Sequence, residues 1–186
     1  MISIKPKNII TIFTDGSSRG NGKREAVGGI GVFFNDNDRR NVSMETKIAL
    51  VSAIPQYNLK NFKVTNNISE LTAVLVALKS VKKDLENNTR IEIKSDSMYV
   101  INSLTLWYKN WIKNNFKNAT GKTIANKEII EELLTLFIIP YKPLIIFCFI
   151  PAHTVRPSKT SVRYDNWYGN FQADKLSTNF NSSIYT

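Results

Sequence analysis

Three strand-like runs joined by short polar links open the chain, at residues 8–15, 26–35 and 41–51, and beyond them helical and strand-like patterns alternate. Short links between strands impose antiparallel pairing, whereas a strand that follows a helix returns parallel through a right-handed crossover. The order of three strands, helix, strand, helices, strand and helix therefore confines the chain to the α/β class. It implies a five-stranded mixed sheet, three antiparallel strands and then two parallel, with helices on both faces. A length of 186 residues suits one domain, 1–186, with a core over about 9–178 and a polar tail over about 179–186.

Local patterns fill in this frame. Leu71, Val74, Leu75 and Leu78 follow helical spacing, with Asn66 or Asn67 placed to cap the helix start. Residues 90–95 read as strand, 97–106 as helix and 52–65 as loop. Ile129, Ile130, Leu133, Leu134 and Phe137 give a helix over 126–138, and a short helix is expected near 168–178. The run "PLIIFCFI", 143–150, is continuously apolar, as for a strand covered on both faces. The apolar region 133–151 is interrupted by "PYKP", so it reads as two elements and a turn rather than a membrane span. Glycines in "AVGGIGVFFN" permit close backbone approach.

Charge narrows the partners. There are 25 Lys and Arg against 15 Asp and Glu, a net charge of +10, which favours a polyanion: nucleic acid or an anionic membrane surface. No helix pairs a clean apolar face with a basic one, which argues against the membrane. The single cysteine, Cys148, permits neither an intramolecular disulfide nor a Cys-rich zinc site. The N-terminus lacks a secretory signal pattern, and an intracellular monomer, in cytoplasm or nucleus, is expected.

Two strand-like runs stop at a carboxylate: "TIFTDGSSRGNG" at Asp15 and "IEIKSDSMYV" at Asp96. In mixed sheets, sites form beyond the carboxyl ends of strands where the connections change direction. Each acid also has a plainer reading. Asp15-Gly16 could be a hairpin dipeptide. Asp96 could cap a helix, Glu70 in "NISE" could complete a capping box, and Asp174 could be a solvated helix residue. Taken jointly, carboxylates crowded at one sheet edge repel unless cations neutralise them. Mg²⁺ suits oxygen ligands, and two ions about 4 Å apart activate a water and stabilise a leaving oxygen.

These residues resemble the ribonuclease H family, type 1. "TDGSSRGNG" is similar to its first motif, "TNNISELTAVLVALK" to its second, "KSDSMYV" to its third and "GNFQADKL" to its last, in order over about residues 9–178. The resemblance implies cleavage of the RNA strand of RNA–DNA hybrids with two Mg²⁺ or Mn²⁺ ions. It implies that Asp15, Glu70, Asp96 and Asp174 are the metal ligands, Asp15 touching both ions. His153 stands where the family carries a loop histidine that assists product release or proton transfer. Asn21, Asn66 and Asn67, with Gly16, Ser17 and Asn170, resemble hybrid-binding positions. The segment "WYKNWIKNNFKNATGKTIANK" resembles a basic protrusion that grips DNA through Trp107, Trp111, Lys113 and Lys117, spaced one helical turn apart if the helix continues.

The chain also departs from the family. The interval 38–64 is long, and the stretch "TVRPSKTSVRYDNWYG", 154–169, is an expanded loop expected to add substrate contacts or gate the site. Phe171 and Met98 replace a glutamate and a glutamine that are frequent in the family. Two other readings compete with a hybrid-specific endonuclease. One is a non-catalytic hybrid- or duplex-binding module; the other is a related-fold exonuclease or resolvase.

Overall fold

The computed structural model describes residues 8–60 and 62–180. Its sheet has five strands in the order β3-β2-β1-β4-β5. These are β1 (Ile9–Arg19), β2 (Val27–Phe33), β3 (Val42–Glu45), β4 (Arg90–Ser95) and β5 (Ile145–Phe149). β1 with β2 and β2 with β3 are antiparallel, and β4 is parallel to both β1 and β5. The helices are α1 (Thr46–Ala53), α2 (Asn66–Ser80), α3 (Lys82–Glu86), α4 (Met98–Asn102), α5 (Tyr108–Lys113), α6 (Lys127–Leu133) and α7 (Tyr164–Thr178). π-helical turns at Ser103–Trp107 and Leu134–Ile138 extend α4 and α6.

Two adjacent residues of β1 show that helices cover both faces. Neighbouring strand residues point to opposite sides of a sheet. A Cβ on Gly16 would meet the backbone of Ser69 and Glu70 in α2, while the Asp15 side chain meets Ser177 in α7. Gly31, the partner of Asp15 across the ladder, has α7 against it: its Cβ would lie 2.0 Å from the Ala173 carbonyl oxygen. The main core lies on the α2 side, where Ile12, Val32, Ile91 and Ile93 pack with Leu71, Val74, Leu75 and Leu78. Ile129, Ile130, Leu133 and Phe137 of the α6 segment close it. Each such side chain contributes about 1.5–3 kcal/mol on burial.

Several local expectations are corrected. β1 does not stop at Asp15 but runs to Arg19, because β2 continues to pair with it there, Arg19 opposite Val27. The third strand ends at Glu45; residues 46–53 form α1, whose Leu50 and Ala53 join the core. Thr65, not Asn66 or Asn67, caps α2: its Oγ1 accepts from the Ile68 N–H at 3.2 Å. β5 is an edge strand with Ile146 and Phe149 exposed, so its apolar run is not covered on both faces. The helix from Met98 continues through Lys113 and then breaks where Asn115 and Phe116 take positive φ, leaving Lys117 off the helix. α7 starts at Tyr164 rather than near 168, so residues 164–169 of the expanded stretch are helical. Of the expected tail, residues 181–186 lie outside the described residues.

Candidate active site

The last paired residues of β1 and β4 are Phe13 and Lys94. Asp15 and Asp96 each lie two residues further on, where β4 ends and the two chains part. Matching offsets in a parallel pair set both residues on the same side of the pleat. Glu70 arrives from below. Gly16 lets β1 touch α2 backbone to backbone, since a Cβ there would lie 2.2 Å from the Glu70 nitrogen. Cap and contact together bring one carboxylate oxygen each from Asp15, Glu70 and Asp96 within 4.8 Å of one another.

This cluster is electrostatically costly. Asp15 is 7% exposed and Glu70 4%. Burial is the main cause that raises the Asp15 carboxyl to about 6; the Ser177 hydrogen bond opposes it, and the charges of Asp96 and Asp174 add to it. Burial, then the charges of Asp15 and Asp96, push Glu70 well above the ordinary range. Burial also raises Asp96, opposed first by Asn170, whose Nδ2 donates to Oδ2 at 3.3 Å, and more weakly by the neighbouring His153. Glu70 Oε2 is buried with no hydrogen-bond partner. Among the described residues no lysine or arginine pairs with these three acids. Crowded carboxylates with an unsatisfied oxygen and no cationic side chain fit a hard divalent ion that takes oxygen ligands.

Asp174 is half-buried on α7, outside the 4.8 Å group, yet its charge acts on both Asp15 and Asp96. It lines a cavity of about 150 Å³ with His153, Asn170, Phe171 and Trp167. His153 is exposed there on a left-handed backbone, φ 48°. Ser177 was not among the candidates. Its buried Oγ donates to Asp15 Oδ2 at 2.5 Å, and it sits three residues past Asp174, on the same helix face. That spacing was the available signal.

The family model described as RNase H matches residues 7–181. The chain belongs to the ribonuclease H family. Similarity to type 1 members runs nearly end to end: a ribonuclease H of Clostridium botulinum is 34% identical over 168 residues, 90% of this chain and 91% of that one. A ribonuclease H of Schizosaccharomyces pombe is 39% identical over 120 residues, 64% of this chain but only 38% of that longer protein. The solved structure of a type 1 ribonuclease H with the type 2 active-site motif superposes with a TM-score of 0.64 at 19% identity, covering 95% of this chain and 73% of that one.

Around this acidic cluster of the ribonuclease H chain, the remaining candidates fall into two groups. Asn21 and Asn66 meet at the start of α2, where Asn21 Oδ1 accepts from the Asn66 N–H at 3.0 Å. Asn67 is exposed beside them. Ser17 donates its hydroxyl to the Ser177 carbonyl at 2.6 Å, so that side chain ties β1 to α7. The second group is on the segment after α4. Trp107 and Trp111 contact edge to face, centroids 5.7 Å apart, with Trp107 39% exposed and Trp111 packed on the core. Lys113 ends α5 exposed, while Lys117 lies in a small turn bridged to Thr123. Met98 and Phe171 are both exposed.

Proposed function

We propose that this chain is an endoribonuclease that hydrolyses the RNA strand of RNA–DNA hybrids with two divalent ions, Mg²⁺ or Mn²⁺, and that it acts as one domain. The observation that carries this reading is the group of three carboxylates from β1, α2 and β4 within 4.8 Å, one oxygen of Glu70 buried without a partner. Asp15, Glu70, Asp96 and Asp174 would hold the ions. When bound, the ions supply an activated water and stabilise the leaving oxygen.

The chain's own residues prepare this chemistry. Ser177 and Asn170 orient Asp15 and Asp96 by hydrogen bonds, so the acids are aimed before a cation arrives. His153, at the open side of the cavity with Asp174, is placed to carry a proton or to help product leave. Asn21, Asn66 and Asn67, all exposed, would face the hybrid, while buried Gly16, Ser17 tied to α7 and Asn170 tied to Asp96 would support that surface from beneath. Such contacts read groove shape and 2′-hydroxyls rather than sequence. Trp107, Trp111, Lys113 and Lys117 would hold the DNA strand by ring contact and phosphate pairing.

The test is cleavage of a labelled hybrid, some molecules circular or end-blocked, with Mg²⁺ or with excess chelator. Internal cuts in the RNA strand are expected with metal only, and Asp15→Asn and Asp96→Asn should lower the rate by at least a hundredfold, roughly the contribution of a group essential to the chemistry. Undiminished cleavage in chelator or in either variant would falsify the metal roles. Binding without turnover across Mg²⁺ and Mn²⁺ concentrations would replace them with a binding module. Cutting from free ends alone would replace endonuclease by exonuclease.

A further inference from the structure

The expanded stretch between His153 and Asp174 builds an aromatic stack that nothing in the proposed metal chemistry uses. Trp167 and Phe171, one turn apart on α7, stack with centroids 5.3 Å apart and planes 10° from parallel. Trp167 is fixed by its Nε1 donating to the Thr154 carbonyl at 3.0 Å. The Arg156 guanidinium lies 5.5 Å from the Trp167 ring and 6.0 Å from that of Tyr164. Phe171 remains 47% exposed, an apolar ring beside Asp174 and His153 in one cavity.

A second cavity, of about 360 Å³, adjoins the first and shares Pro151, Thr154 and Trp167 with it; its other walls include Phe149, Val155, Pro157 and Arg163. Residues 151–164 carry Arg156, Lys159 and Arg163 and no Asp or Glu. An exposed aromatic ring braced by Trp167, whose own ring carries Arg156 and borders the cavity that holds Arg163, lies beside the acidic centre; together they offer what an unpaired nucleotide needs, a π-face for the base and positive charge one ring further on for its phosphates. A base inside a duplex is already stacked and offers no free face.

Resting on the ribonuclease reading, we propose that Phe171, braced by Trp167, is a stacking site for an unpaired nucleotide of the RNA strand, with Arg156 and Arg163 holding its phosphates. The strand concerned is the one being cut, because the platform shares its cavity with Asp174. The substrate class this assigns is a hybrid whose RNA continues into a single-stranded extension.

The experiment compares three end-labelled hybrids of equal duplex length: blunt, with an RNA extension, and with a DNA extension. Cleavage is followed in Mg²⁺ and binding by anisotropy in chelator, with wild type, Phe171→Ala, Phe171→Tyr and Arg156→Ala. Wild type should bind the RNA-extended hybrid about tenfold more tightly than the blunt one and cut it preferentially near the junction, an effect within reach of one stacked base. Phe171→Ala and Arg156→Ala should lose that preference and cut the blunt hybrid within about twofold of wild type; Phe171→Tyr should keep it. Thermal melts of all variants in chelator check the fold. No preference for the extension, a preference that survives Phe171→Ala, or an equal loss on blunt and extended hybrids would overturn the stacking site. Equal preference for a DNA extension would overturn the strand assignment. A wild type that cuts no hybrid would sink the ribonuclease reading, while the binding arm would still decide on the platform.

Discussion

Replacing Asp15 by asparagine should stabilise the metal-free protein at neutral pH. The carboxyl of Asp15 lies at about 6 in the fold against an ordinary 3.8, chiefly through burial and in part through the charges of Asp96 and Asp174. Below about pH 4 the carboxyl is protonated in folded and unfolded chains alike, and its ionisation costs the fold nothing. Between about 4 and 6 the unfolded chain releases the proton while the folded chain keeps it, so stability falls as pH rises; above that window the loss is complete. At about 1.36 kcal/mol for each pH unit, the gap between 3.8 and about 6 amounts to about 3 kcal/mol. Asparagine keeps the shape and an oxygen to accept from Ser177, and it carries no charge. Melted in chelator at pH 7.5, Asp15→Asn should exceed wild type by roughly 6–12 °C for a domain of this size. The two should converge near pH 4, and added Mg²⁺ should raise wild type more than the variant. A variant no more stable than wild type at pH 7.5, or a gap that does not change with pH, would show that the carboxylates are not held at an electrostatic cost.

Three further outcomes are expected. Ser177→Ala removes the hydroxyl whose hydrogen bond holds Asp15 down, so that carboxyl should rise further and the acid limb of the cleavage profile should move to higher pH; an unmoved limb would refute this. Gly31→Ala would set a Cβ 2.0 Å from the Ala173 carbonyl, and denaturant titration should show a loss of at least about 2 kcal/mol as α7 is forced off β2. Lys113→Ala should weaken hybrid binding without sequence preference and reduce the salt slope of log K by roughly 0.7–0.9, the share of one phosphate contact; an unchanged slope would remove Lys113 from the interface.

Much of the fold was legible because long periodic segments dominate it. The spacing of Leu71, Val74, Leu75 and Leu78 located α2, and strand direction followed from link lengths. Local competition hid the rest. Asp15-Gly16 looks like the end of a strand, but Gly16 serves close packing on α2 and the β2 ladder carries β1 on to Arg19. Thr65 outcompeted two asparagines as cap because its hydroxyl, one residue earlier, reaches the Ile68 N–H. The run of β5 is as apolar as a central strand, and sequence alone does not reveal that it lies at an edge. In the site, Asp15 and Asp96 stood out as carboxylates that close strand-like runs. Ser177 did not, since its spacing from Asp174 is a weak signal until Asp15 is seen opposite it.

The bare backbone of Gly16 and Gly31 makes the molecule thin at one spot. Glu70 belongs to the helix on one side of the sheet and Asp174 to the helix on the other, yet Asp15 couples to both: its charge acts on Glu70 and that of Asp174 acts on it. Side chains at Gly16 and Gly31 would wedge the layers apart and draw those two acids away from Asp15. The spacing of the acidic centre is thus set by main chain pressed on main chain, a gauge that no rotamer change can reset. Drift in the surrounding apolar residues should leave it untouched, while one added methyl group at either glycine would not.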